Sequence, residues 1–81
     1  MRTVVFGESL REAHGYIRGK GLPGETTVPA FDSRALKGIE EKTKVLLLRH
    51  HLLNHYWPEF KARLEELEDQ DLVRIELKED W

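Results

Sequence analysis

The unbroken apolar block Val45-Leu46-Leu47-Leu48 constrains this chain more than any other stretch. It is followed closely by His50, His51 and His55 and by Tyr56-Trp57-Pro58. A short run of this kind reads as a strand buried on both faces. Pro58 then fits the first turn of a helix, with Trp57, Phe60, Leu64 and Leu67 on one side of it. The rival reading uses the same residues. Val45, Leu48, Leu52, Tyr56, Phe60, Leu64 and Leu67 recur every three or four positions. One continuous or proline-kinked helix over residues 41–70, in an α+β fold, satisfies that spacing too. The strand reading is placed ahead, and it puts His50 to Tyr56 in a loop.

The rest of the chain supports alternation. Thr3 to Phe6 reads as a buried strand ending at Gly7. Ser9 with Glu12 forms a capping box, and Leu10, Ala13, His14 and Ile17 continue a helix from Ser9 to about Lys20. Gly15 weakens that helix, and a close contact with the first strand would account for it. Gly19-Lys20-Gly21-Leu22-Pro23-Gly24 is a loop. Thr26 to Phe31 is a second strand, and Pro29 marks an edge position or a strand end. Asp32 or Ser33 caps a short helical turn that stops at Gly38. Glu59 and Arg63 are spaced to pair on the last helix. Leu72 to Lys78 alternates, with Val73, Ile75 and Leu77 on one face. This order predicts one small α/β domain over residues 1–81. Its sheet is Rossmann-like and mostly parallel, with about four strands and helices packed on it.

Composition removes several function classes. With 81 residues there is room for one thin core, and such a domain gains burial by pairing with a second copy. The chain has no cysteine, so disulfides, thiolate nucleophiles and Cys-based zinc sites are excluded, and a cytoplasmic setting is favoured. The apolar runs are too short for a signal peptide or a membrane span. A net charge of -2 argues against a bulk electrostatic grip on nucleic acid. Arg34, Lys37, Lys42, Lys44 and Arg49 would be the parts of a local basic patch.

Two glycine patterns fail on context. Gly19 to Gly24 matches G-x-G-x-x-G, but it closes a helix where a dinucleotide fingerprint must open one. Gly15 to Lys20 is a residue short of a Walker loop and lacks the following Ser or Thr. His51 and His55 would chelate zinc together if both lay on a helix, yet no third ligand is evident, and no metal is assigned. In a parallel sheet, ligands bind beyond the carboxyl ends of the strands. That edge would carry Glu8 and Ser9, then Asp32 and Ser33, then Arg49, His50 and His51. These are the candidate ligand-binding residues, with capping as the plainer role of Ser9, Asp32 and Ser33. Trp57, Val73, Ile75, Leu77 and Trp81 are the candidate interface residues. No catalytic residue and no cofactor is assigned.

Met1 to Ala13, with its Ser9-Leu10-Arg11-Glu12-Ala13 helix start, and Asp32 to Gly38, with its Ala35-Leu36-Lys37-Gly38 turn, resemble small orphan proteins encoded by bacteriophages of actinobacteria. The resemblance covers the first half of the chain. It implies a cytoplasmic accessory protein acting in an infected host, and it carries no activity or catalytic residue. The expected function is a non-catalytic protein-interaction module that self-associates as a dimer and meets a host or phage protein. The alternatives are a small ligand or nucleotide-phosphate binder, possibly a hydrolase, at the carboxyl edge, and nucleic-acid binding third.

Overall fold

The computed structural model describes residues 2–78. Its strands are β1 (Arg2–Phe6), β2 (Thr27–Ala30), β3 (Thr43–Leu48) and β4 (Val73–Lys78). The helices are α1 (Leu10–Gly19) and α2 (Trp57–Asp69), with 3-10 turns at Ser33–Leu36 and His51–Leu53. The four strands form one sheet in the order β2-β1-β3-β4, and every pairing is parallel. The single α/β fold with a parallel sheet is therefore what forms. The long helix over 41–70 does not, because β3 occupies its first part and an irregular segment its middle.

Burial explains the apolar block. β1 and β3 are the inner strands, so successive side chains enter different cores. Val5, Leu46 and Leu48 meet Ala13 and Tyr16 of α1 on one face. Val4, Phe6, Val45 and Leu47 meet Leu36, Phe60, Leu64 and Leu67 on the other. The chain steps outward from β1 to β2, then back past β1 to β3, and on to β4. With right-handed crossovers, that reversal of direction moves the connection to the opposite face. Hence α1 covers one side while α2 and the Ser33–Leu36 turn cover the other. Phe6 and Phe60 stack with ring centroids 3.9 Å apart at the centre of the larger core.

Local signals hold with adjustments. Ser9 caps α1 by accepting from Glu12 N at 3.2 Å. Glu12 reaches back past the cap, and its Oε1 accepts from Glu8 N at 3.1 Å. Gly7 leaves room for it: a Cβ there would stand 2.5 Å from Glu12 Oε1 and 3.0 Å from Leu48 Cδ1, so a larger residue would displace the Glu12 carboxylate from Glu8 N. Pro29 lies on β2, an edge strand, where a missing N–H is tolerated. Pro58 stands in the first turn of α2.

Three expectations are corrected. Gly15 does not face the first strand; it is exposed, because Ala13, Tyr16 and Ile17 are the residues that α1 turns toward the sheet. His14 is likewise exposed, and Tyr16 takes the place in the core. Arg63 pairs with Glu66 at 2.9 Å and not with Glu59.

Candidate interaction site at the carboxyl edge of the sheet

The connections leaving β1 and β3 run to opposite faces, so the ends of these strands form a topological switch point. In open α/β sheets that is where a crevice normally receives a ligand. Here Asn54 fills the junction. It is 3% exposed, and its Nδ2 donates to Gly7 O at 2.9 Å and to Phe31 O at 3.2 Å. Its Oδ1 accepts from Tyr56 N at 2.7 Å. One side chain thus ties the end of β1, the end of β2 and the entry to α2. Every polar atom of its amide has a partner, as burial demands.

The segment before Asn54 is fixed as well. His51 Nδ1 lies 2.7 Å from Leu48 O, and the ring stands edge-on to Trp57 with centroids 4.7 Å apart. Pinned at both ends, the His51–Leu53 turn projects two adjacent leucines. Leu52 is 65% exposed and Leu53 67%. Phe31, at the end of β2, is also exposed, and Tyr56 packs against its edge at 5.1 Å. The edge therefore carries an apolar rim around a hydrogen-bonded plug.

The residues singled out from the sequence follow the carboxyl ends of β1, β2 and β3, and Ser9, Asp32 and His51 among them are already engaged. Ser9 Oγ is taken by the α1 cap. Asp32 caps the first 3-10 turn through Arg34 N at 3.0 Å and binds the Arg34 guanidinium through Nε and Nη2 at 3.0 and 2.9 Å. Ser33 is the first residue of that turn. Glu8, Arg49 and His50 are exposed. His51 is held by Leu48 O, and His55 stands edge-on to Tyr56. His51 and His55 flank Asn54 in an irregular segment, so they do not share a helix face. Among the described residues, no group of three metal-ligating side chains gathers. Of the interface candidates, Val73 is buried and Trp57 and Ile75 are half-buried, while Leu77 is 59% exposed. Trp81 lies outside the described residues.

The side-chain hydrogen bond from Arg34 holds the Asp32 carboxyl below its usual range, against a smaller opposing effect of burial. A group whose folded value is depressed stabilises the fold above its unfolded value, about 4 for aspartate, and loses that contribution as pH falls through the folded value. Asp32→Asn keeps a cap oxygen but not the charge. Its urea midpoint should fall below that of the wild type at neutral pH, and the two should converge in acid.

Two cavities lie away from this edge. One, of about 390 Å³, is at the amino end of the sheet beside Arg2, Ile39 and Glu41. The other, of about 460 Å³, is bordered by Arg11, His14, Gly15 and Arg18 on α1.

Asn54, Leu52, Leu53 and Phe31 are absent from the sequence-based candidates. For Asn54 a signal existed: an Asn in the turn before a helix commonly accepts from the backbone N–H two positions on, here that of the cap residue Tyr56. The carbonyls it reaches, those of the residues that follow β1 and β2, had none.

The chain matches no family model, no curated protein and no solved structure. Among the described residues, no helix is long and apolar enough to cross a membrane.

Proposed function

We propose that this protein is a non-catalytic interaction module that engages another protein through the carboxyl edge of its sheet. The observation that carries this reading is the exposure of Leu52 and Leu53 on a turn pinned by His51 and Asn54. Exposing a leucine side chain forgoes about 1.5–3 kcal/mol of burial, and a single one on a surface is ordinary. Two adjacent ones on a fixed turn, sharing an edge with exposed Phe31, form the kind of apolar patch that a partner covers. The Asn54 plug supports the same reading over a small-ligand site, since it occupies the switch point where a ligand would enter. The resemblance to phage accessory proteins fits a module of this kind acting on a host or phage protein in the host cytoplasm.

The test compares wild type with Leu52→Glu/Leu53→Glu as bait in an actinobacterial lysate. Both positions are exposed, so the double variant should unfold within about 1 kcal/mol of wild type. A protein retained by wild type and lost from the variant is the expected result. Equal retention by both, or no retained protein, refutes the reading.

A further inference from the structure

We propose that the chain forms a two-fold dimer by antiparallel pairing of β4 with β4 of a second copy, in a register centred on Ile75. β4 ends the strand order, so one side of it is an edge. Leu72 O accepts from Thr43 N at 2.9 Å, which turns the backbone groups of residue 72 toward β3. Backbone direction alternates along a strand. Arg74 and Glu76 therefore point at β3, and Val73, Ile75 and Leu77 present their N–H and C=O groups to the open side. The other edge, β2, is four residues long and contains Pro29, so it offers a poorer template.

Two-fold symmetry about an axis through the sheet keeps each face on its own side, so the pairing centres on a residue. Four centres can be compared. Centred on Arg74, arginine faces arginine. Centred on Glu76, glutamate faces glutamate and Arg74 faces Lys78. Centred on Leu77, the described strand overlaps over only three residues. Centred on Ile75, Arg74 of each copy faces Glu76 of the other, Val73 faces Leu77, and Ile75 faces itself. That register alone opposes unlike charges over the length of the strand, and like charges directly opposite are destabilising.

The same register satisfies the backbone. The outward groups of Val73, Ile75 and Leu77 meet their counterparts as hydrogen-bonded pairs, giving about six interchain bonds. It also covers Leu77, which is 59% exposed in the monomer, against Val73 and Ile75 of the second copy. Among the described residues Arg74 makes no ion pair. Glu76 already holds Lys44 at 3.3 Å and Lys78 at 3.2 Å, so the added contacts set register more than they add affinity. The result is one eight-stranded sheet. The dimer uses β4 and leaves Leu52 and Leu53 at the carboxyl edge, so it stands or falls independently of the function proposed above.

The experiment is sedimentation equilibrium of the full chain across a concentration series. Twice the 9.5 kDa chain mass is expected at high concentration. Leu77→Pro removes an N–H that points away from β3, so the monomer fold should persist by circular dichroism while dimerisation is lost. Arg74→Glu and Glu76→Arg should each weaken self-association by about tenfold or more. Mixed one to one, these two variants should recover a heterodimer, because each then opposes the other's charges. A wild type that remains monomeric throughout overturns the proposal. So does a dimer indifferent to Leu77→Pro, or a failure of the charge-reversed pair to associate.

Discussion

Phe60→Ala is expected to cost about 3–5 kcal/mol, the largest effect of any substitution argued for this chain. Phe60 is fully buried and stacks on Phe6 at 3.9 Å, with Trp57 tilted against both rings. Truncation removes the ring by which α2 stacks directly on Phe6 at the end of β1 and leaves Trp57 with one aromatic neighbour fewer. A domain of 81 residues has a total stability of about 4–12 kcal/mol. The variant should therefore be substantially unfolded near room temperature or melt far below wild type. Phe60→Leu keeps most of the volume and should cost about 1.5 kcal/mol, with the aromatic stacking lost on top. Urea titration of the three proteins checks this. A Phe60→Ala midpoint close to wild type would mean that the two layers are not held together at this stack.

Asn54→Ala comes next, at about 2–4 kcal/mol, or a melting temperature lower by about 10–20 °C. The substitution removes two donors and an acceptor together. It strands Gly7 O and Phe31 O in a junction where 3% exposure leaves little room for water. Asn54→Asp sharpens the test. It retains the acceptor for Tyr56 N but points a carboxylate at two carbonyl oxygens, so it should be worse than alanine at neutral pH and recover in acid as the carboxyl protonates. Thermal melts of both variants at two pH values separate these cases. Amide exchange around Gly7 and Phe31 should accelerate in both. If Asn54→Ala melts with wild type, Asn54 does not hold the three connections together.

The fold was legible because burial writes itself into composition. An inner strand of a parallel sheet must be apolar on both faces, and Val45 to Leu48 can satisfy that requirement. β4, covered by α2 on one side, alternates instead. Caps were legible for a similar reason: Ser9 and Asp32 bond to amides two or three residues away. The site was legible only in part. The sheet rule located its edge, yet the residues that define it depend on contacts across the sequence. Asn54 reaches 47 positions to Gly7 and 23 to Phe31. Leu52 continued an apolar periodicity that suggested core. It is exposed because β3 stops at Leu48, and the turn that follows sends Asn54, not a leucine, inward.

The strand order has a consequence for how the chain reaches this state. β1-α1-β2 and β3-α2-β4 are each local units, joined through the pairing of β1 with β3. While the first half alone has left the ribosome, the inner edge of β1 is an open template carrying Val4, Val5 and Phe6. Such edges recruit other chains. The Asn54 bond to Gly7 closes across the same seam, so it forms only when both halves have met. Docking of the two halves is therefore the step expected to be slow in refolding kinetics, and slower synthesis of the second half is expected to raise aggregation of the first.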